Sequence, residues 1–139
     1  MQSLVDTVMS NAFSAVLAYF SVGILALIVF LAVFEWVTKY DGWSEIRKGN
    51  LSVAMATGGK IFGICNIFRF SIEANDTIYL SLLWSAVGFL LLLAGYFLFE
   101  FLTPVLRVDE EIARDNRAVG FLAMILSVSL SYIIGAAVI

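Results

Sequence analysis

The sequence predicts an all-α membrane protein whose four transmembrane helices form two parallel, same-orientation two-helix repeats. Three observations lead to this fold class. The 139 residues are 62% hydrophobic and only 14% charged, with a mean hydropathy of +1.00, which lies outside the range of soluble globular domains. Four apolar runs are each long enough to cross a hydrocarbon core of about 30 Å as a helix. A short polar motif also occurs once in each half of the chain.

The apolar runs divide the chain into an N-terminal segment and two halves. The runs extend over residues 12–34, 51–72, 78–99 and 118–139. No Lys or Arg precedes the first run, which is therefore interpreted as a retained membrane helix and not as a secretory signal. Residues 1–11 suit either a short interfacial helix or an extension of the first membrane helix. The predicted organisation is an N-terminal interfacial segment (1–11), a first two-helix repeat (12–72) and a second (73–139).

The duplication is visible in the polar loop between the two helices of each unit. In both copies a Glu-Ile pair is followed by an Asn just before the next apolar run, and a Phe-Glu pair ends the preceding run. Matches of Glu and Asn do not arise from apolar composition alone, so they indicate an internal repeat. Asn50 and Asn116 are predicted to cap the helices that follow them, because Asn is a favoured N-cap. The matching residues are Phe34-Glu35, Glu45-Ile46 and Asn50 in the first copy and Phe99-Glu100, Glu111-Ile112 and Asn116 in the second.

The distribution of basic residues predicts the orientation in the membrane. Lys and Arg gather in or beside the two motif loops, whereas the N-terminal segment and residues 73–77 have none. By the positive-inside rule, both loops are expected in the cytoplasm and both termini outside. Each unit has two helices, so the copies enter the membrane in the same direction, as parallel repeats do. The basic residues concerned are Lys39, Arg47, Lys48, Arg107, Arg114 and Arg117.

The second helix combines small residues with one intramembrane charge. Gly59 and Gly63 form a GxxxG pair, and Ala123 and Ser127 belong to a small-residue stripe on the fourth helix. Such stripes predict close helix packing, either within the chain or between subunits. Lys60 lies about ten residues into the second helix, ~15 Å deep at 1.5 Å per residue, and a charge at this depth suggests a functional role. A lysine that snorkels or meets backbone carbonyls is an equally open interpretation.

Four glutamates are the candidates for binding or gating a cation. Glu35 and Glu100 stand at equivalent helix ends beside aromatic rings, and Glu45 and Glu111 stand in the two loops. A carboxylate that is partly desolvated is stabilised by a cation or by protonation. These residues therefore predict an acidic cytoplasmic mouth. The alternative is that each Glu pairs with a nearby basic residue, such as Lys39 four positions after Glu35.

Composition argues against most other classes of activity. The chain has no His and a single Cys, Cys65, so intrachain disulfides, Cys/His zinc sites and His-assisted nucleophilic catalysis are excluded. No phosphate-binding or dinucleotide-binding motif is present, and no cofactor or metal site is predicted. Nucleic acid is not an expected partner, since no basic patch interleaved with aromatic residues occurs. The sequence does not predict an enzyme.

The twin motifs resemble those of the YjfL-like family of small bacterial inner-membrane proteins, a family of unknown function. The similarity covers nearly the whole chain. It implies four membrane helices in two repeats and a bacterial inner membrane. Members often occur near polyamine-synthesis-like enzymes, which implies a role related to polycations. The motifs that carry the resemblance are Glu45-Ile46…Asn50-Leu51-Ser52-Val53-Ala54 and Glu111-Ile112…Asn116-Arg117-Ala118-Val119-Gly120.

Together these observations favour a homo-oligomeric pore- or transport-related module, embedded in membrane lipid, with an acidic cytoplasmic mouth for a cation or a polyamine. The small-residue stripes exceed what one four-helix bundle needs, which favours assembly. The alternative is a non-conducting anchor or assembly subunit that docks a cytoplasmic protein partner through its two loops.

Overall fold

The computed structural model describes residues 4–138, and among them the chain is all-helical, without β-strands. Four of the helices are long and apolar enough to cross a membrane, which confirms the predicted all-α membrane class. The helices are α1 (Leu4–Met9), α2 (Ala12–Val37), α3 (Gly42–Arg47), α4 (Leu51–Ala74), α5 (Ile78–Leu102), α6 (Val108–Ala113) and α7 (Arg117–Ala137), with a 3₁₀ turn at Pro104–Leu106.

Helix ends follow polar capping residues rather than the limits of the apolar runs. At its start, α2 is capped by the side chain of Asn11, whose oxygen accepts from the Phe13 N–H at 2.9 Å. This cap separates α1 from α2, so α1 is a helix of its own and not an extension of α2. Residues 1–3 of the predicted interfacial segment and residue 139 of the fourth run lie outside the described residues. At the other end, α2 and α5 each continue about one turn beyond the apolar run.

The centre of the bundle is the contact between α4 and α7. A Cβ atom added at Gly59 would lie 2.7 Å from the Met124 Cα, and one added at Gly63 would lie 3.3 Å from the Ser127 carbonyl oxygen. Glycine is needed at such positions because the two backbones approach closely. Further along, the Asn66 Nδ2 donates to the Ser131 Oγ at 3.0 Å.

The small residues predicted for helix packing all lie on this contact. Ala123 and Ser127 are buried there, opposite Gly59 and Gly63. The two small-residue stripes therefore face each other within one chain, which is one of the two interpretations that the sequence left open. They no longer provide a reason to expect a subunit contact.

The other two long helices pack on α4 from the outside. Helix α2 buries only Ala26 and Phe34, and the Phe30 ring lies 4.0 Å from the Phe89 ring of α5, centroid to centroid. Helix α5 is joined to α4 near the turn between them, where the Ser71 Oγ donates to the Ser81 carbonyl at 2.6 Å. Many large apolar side chains of α2 and α5 stay exposed, as expected of surfaces that contact lipid.

Both polar loops lie at one end of the bundle, which we call the loop end. The Asn50 Nδ2 donates to the Ala113 carbonyl at 2.9 Å, and the Ser52 N–H donates to the Asp115 Oδ1 at 2.9 Å. These contacts join residues more than 60 positions apart. The starts of α4 and α7 are therefore neighbours, and the two helices run parallel. The organisation of the whole chain as two repeats stays a prediction.

Candidate cation site at the loop end

The two motif loops contain the same local turn. The Asn50 N–H donates to the Glu45 carbonyl at 3.0 Å, and the Gly49 N–H donates to the Ile46 carbonyl at 2.9 Å. This is the hydrogen bonding of a helix that ends in a Schellman motif, which requires a left-handed residue at its turning point. Gly49 has a φ of 90° there. In the second loop the same two bonds measure 2.9 Å and 3.0 Å, and Asp115 is the left-handed residue, with a φ of 62°.

The loop glutamates hold these turns together. The Glu45 carboxylate accepts from the Asn50 amide at 3.3 Å and pairs with Lys48 at 3.6 Å. The Glu111 carboxylate likewise accepts from the Asn116 amide at 2.9 Å and pairs with Arg114, three positions later, at 3.8 Å. Each Asn in turn caps its helix through its side-chain oxygen. Glu45 and Glu111 are thus engaged locally and do not line the pocket described below.

Glu35 is also held by its own segment. Its Oε2 accepts from the Gly42 N–H at 3.1 Å, and a Cβ atom at Gly42 would collide with the same carboxylate. The alternative pairing of Glu35 with Lys39 is wrong for the described residues, whose ion pairs do not include it. Helix α2 ends at Val37, so Lys39 does not stand one helical turn above Glu35.

Asp109 is a site residue that the sequence reasoning missed. Only 6% of its surface is exposed. Its Oδ1 accepts from the Tyr96 hydroxyl at 3.1 Å, and its Oδ2 accepts from the Lys39 backbone N–H at 3.4 Å. The signal in the sequence was the buried face of α6, where Val108 and Ile112 are four positions apart and Asp109 lies beside them. A carboxylate on an apolar helix face is a candidate for a specific partner.

Glu100 meets Asp109 in a pocket at the loop end. The two carboxyl groups are in hydrogen-bonding contact. The pocket has a volume of about 210 Å³ and carries both signs of charge, so it is not a purely acidic mouth. It is lined by Glu100, Asp109, Glu110, Lys39, Arg107, Thr103, Pro104 and Val108.

Lys60 lies behind this pocket, inside the bundle, with only 3% of its surface exposed. Its Nζ stands 4.9 Å from the centroid of the Tyr96 ring and 5.5 Å from that of Phe34, an arrangement in which aromatic faces attract a cation. Among the described residues its ammonium has neither a hydrogen-bond acceptor nor a carboxylate within 4 Å. The carboxyl groups that act on it electrostatically belong to Asp109, Glu35 and Glu100.

Tyr40 completes the group. Its hydroxyl is buried and has no hydrogen-bond partner among residues 4–138. Burial raises the pKa of Tyr40, and the negative charges of Asp109, Glu35 and Glu100 raise it further. The hydroxyl therefore keeps its proton at neutral pH and is available as a donor toward these carboxylates.

These residues can stabilise one positive charge at a low-dielectric helix end. Two carboxyl groups in contact cannot both ionise without a proton or a cation between them. No group of three His, Cys, Asp or Glu side chains in the described part of the chain is arranged to hold a metal ion. We call Glu100, Asp109, Lys60, Tyr96 and Tyr40 the loop-end site.

The fold and this site define an integral membrane protein. A family model described as "Domain of Unknown Function (DUF350)" matches residues 7–138, and the chain belongs to that family. It is 51% identical to the UPF0719 transmembrane protein YshE of Bacillus subtilis (strain 168) over 128 residues, which cover 92% of this chain and 96% of the relative. It is 24% identical to the UPF0719 inner membrane protein YjfL of Escherichia coli (strain K12) over 105 residues, 74% of this chain and 76% of that one.

The resemblance to the YjfL-like family is thereby confirmed. Neither the family description nor the names of these relatives indicates an enzymatic activity. No solved structure matches the chain.

Proposed function

We propose that the protein is a transport-related membrane module that binds a singly charged cation at the loop-end site. The observation that carries the proposal is the meeting of the Glu100 and Asp109 carboxyl groups in an accessible pocket, with the buried Lys60 ammonium behind them. Ionisable groups inside a membrane protein are expensive to bury and usually serve an ion or proton pathway.

The charges around the pocket argue against a multiply charged ligand. Its lining includes the acidic residues Glu100, Asp109 and Glu110 and the basic residues Lys39 and Arg107, a formal sum of three negative and two positive charges, or −1. The buried Lys60 ammonium behind the lining brings this sum to zero. A polycation, which the family resemblance implied, would be repelled by the two basic residues. Of the four glutamates predicted from the sequence, Glu100 is the one we retain as a ligand.

Orientation and assembly belong to the same proposal. We place the loop end in the cytoplasm because its basic residues are those that the positive-inside rule counts. We also propose a homo-oligomer, whose contacts would use the exposed large side chains of α2 and α5, because the small-residue faces are already packed against each other. If the protein in lipid discs stays monomeric at all concentrations, a pore formed between subunits is excluded.

A flux assay tests the proposed function. Protein reconstituted in liposomes is expected to carry a monovalent cation or a proton down an imposed gradient. Glu100→Gln is expected to lower the flux about tenfold, which corresponds to ~1.4 kcal/mol, because the pair loses its second carboxyl group. The matched control is Glu73→Gln, which removes an exposed carboxylate paired with Arg69 at 3.2 Å near the opposite end. Equal flux in both variants would remove Glu100 from the mechanism.

The alternative is a non-conducting anchor that docks a protein partner through its loops. It is favoured by the exposure of large side chains at the loop end, where Val105 is 93% exposed and Trp43 is 53% exposed, and by the exposed basic residues Arg47 and Lys48. Charge reversal at Arg47 and Lys48 separates the two functions. If the protein is a non-conducting anchor, the reversal would abolish co-purification with a partner, and the wild-type protein in liposomes would show no flux. If it is a transport module, the flux of the wild-type protein would survive the reversal.

A further inference from the structure

Three features of the loop-end site remain unexplained by a static ion-binding pocket. The Lys60 ammonium is nine-tenths buried or more, and its N–H groups have no acceptor among the described residues. The Tyr40 hydroxyl is buried without a partner in the same part of the chain. Glu100 and Asp109 line the same pocket with their carboxyl groups in hydrogen-bonding contact, and such a contact needs a hydrogen atom between the two groups.

We infer that the cation of this site is the proton, shared by Glu100 and Asp109, and that Lys60 is the positioning residue that sets how tightly it is held. The inference rests on the proposed function and names its substrate. A proton satisfies the carboxyl contact without the several oxygen ligands that a metal ion requires.

The hydrogen bonds assign the proton to one partner. Both oxygens of Asp109 already accept, one from Tyr96 and the other from the backbone N–H of Lys39. An ionised carboxylate is an acceptor only, whereas a protonated one donates. Asp109 is therefore the ionised partner, and Glu100 carries the proton and donates it to Asp109.

When the proton leaves Glu100, the negative charge left behind is stabilised by groups already in the site. The O–H bond of Glu100 breaks, the proton passes to a water molecule in the pocket, and the bonding electron pair stays on Glu100. The site then holds one more negative charge, which the Lys60 ammonium and the Tyr40 hydroxyl can stabilise by turning toward it. Uptake reverses these steps. The Tyr40 hydroxyl, which is buried without a partner among residues 4–138, is thus explained as a donor for the deprotonated state, and the Lys60 ammonium as its counter-charge.

Charged and titratable groups face the carboxyl pair from every element around it. They are Lys39 and Tyr40 of the segment after α2, Lys60 of α4, Tyr96 of α5, and Arg107 and Glu110 beside Asp109. Glu35 of α2 acts on Tyr40 and Lys60. Glu35 is satisfied by the Gly42 N–H, and Glu110 pairs with Arg107 at 3.8 Å. The charge of Lys39 also acts on Glu100, and more strongly than that of Lys60, but Lys39 is exposed to solvent, which screens its charge. Lys60 is left as the buried positive charge without an ion-pair partner within 4 Å among residues 4–138.

Infrared spectroscopy of the full-length protein in lipid tests the inference directly. The wild-type protein is expected to show the C=O band of one protonated carboxyl group at neutral pH, which disappears in Glu100→Gln and persists in the control Glu73→Gln. Lys60→Met keeps the length of the side chain and removes its charge. It is expected to raise the pH at which the band is half lost by about one unit, the lower end of the effect of a nearby opposite charge.

Three outcomes would overturn the inference. They are the absence of a protonated carboxyl band at neutral pH in the wild-type protein, survival of the band in Glu100→Gln, and an unchanged titration in Lys60→Met. Tyr96→Phe provides a second variant should Lys60→Met fail to fold, because it removes only the hydroxyl that donates to Asp109 and is expected to raise the same midpoint. The spectroscopic result is independent of flux. If the carboxyl band is present but no flux is measured, the proposed transport function is contradicted and the shared proton is not. If flux is measured but the band is absent, the shared proton is contradicted and the transport function is not.

Discussion

The two motif turns have the same local geometry but different long-range partners. In both, the Glu carbonyl and carboxylate bind the Asn that caps the next helix. The Asn50 amide also donates to the Ile112 and Ala113 carbonyls, at 3.3 Å and 2.9 Å, and it is buried. In the part of the chain that the structure describes, the side-chain amide of Asn116 bonds only within its own turn and to the first turn of α7.

The residue before each Asn also differs between the two turns, and at this position the second turn is the one that makes the long-range contact. Asp115 reaches across to the first turn of α4 and accepts from the Ser52 N–H at 2.9 Å, whereas Gly49 has no side chain with which to return the contact. The second turn therefore supports the start of α4, and the first turn supports the end of α6. The same short motif can occur twice in a chain with different long-range partners, because the hydrogen bonds within each turn are local.

Among the substitutions that test this difference between the two turns, the largest loss of stability is expected from one that places a side chain between α4 and α7. A Cβ atom at Gly120 would lie 2.6 Å from the Ser52 Cα, a backbone atom that cannot rotate away. Gly120→Leu is therefore expected to separate the two turns and to destabilise the fold by more than about 3 kcal/mol, at the upper end of single substitutions. Thermal unfolding in detergent measures this effect.

Ala54→Leu is the matched control for this substitution. Ala54 occupies the position in the first copy that corresponds to Gly120 and is only partly buried. An equal loss of stability in both variants would show that the copies pack equivalently at this depth, contrary to the asymmetry of the turns.

The second prediction compares the two caps directly. Asn116→Ala removes a cap and one local bond, for which a loss of about 1 kcal/mol is typical. Asn50→Ala removes these and also leaves the Ala113 carbonyl without its side-chain donor, whereas the Ile112 carbonyl still accepts from the Asp115 N–H. We expect a loss of about 2–4 kcal/mol, since buried acceptors left unsatisfied cost ~1–3 kcal/mol. Chemical unfolding of the two variants side by side measures the difference, and equal losses would contradict the cross-chain role of Asn50.

The smallest effect on stability is expected from removing the charge of Asp115, and it should depend on pH. The N–H of Ser52 lowers the pKa of Asp115 below its usual value, with the charge of Arg117 adding to the shift. A carboxyl group whose pKa is lower in the folded state contributes stability above its unfolded pKa and loses it as the pH falls through the folded pKa. The wild-type protein should therefore be more stable than Asp115→Asn at neutral pH.

This advantage should vanish in acid, below the lowered pKa of Asp115. Unfolding temperatures of both proteins across the acidic range measure it. Asp76→Asn, in the turn between α4 and α5, is the control at the other end of the molecule. A constant difference between wild type and Asp115→Asn at every pH would mean that the charge of Asp115 is not involved.

Much of the architecture followed from the sequence because it depends on short-range patterns. The four long helices were predicted from the lengths of the apolar runs. The starts of α4 at Leu51 and of α7 at Arg117 lie within one residue of the predicted positions. The small residues that pack α4 on α7 were also identified. The helix that packs against each stripe was not identified, because a small-residue stripe shows where another backbone can approach but not which helix it belongs to.

The site was predicted less well, for a related reason. Glu35, Glu45 and Glu111 were selected because they are duplicated, and the structure engages all three in local contacts. The residue that meets Glu100 is Asp109, nine positions later and beyond a 3₁₀ turn. The occurrence of a motif at two places in a sequence identifies what its own turn needs for folding. It does not identify a group whose partner exists in one copy only, as with Lys60, whose equivalent position holds Leu126.

The sequence by itself determined the membrane class, the helices and the two capped turns, because hydropathy and hydrogen bonds between residues at most five positions apart are written locally in the chain. Only the tertiary structure decided that Lys60 lies between the rings of Phe34 and Tyr96 and behind Asp109. These groups come from four different helices. Their charges act on one another only after packing has brought them together and excluded the water that would otherwise screen them.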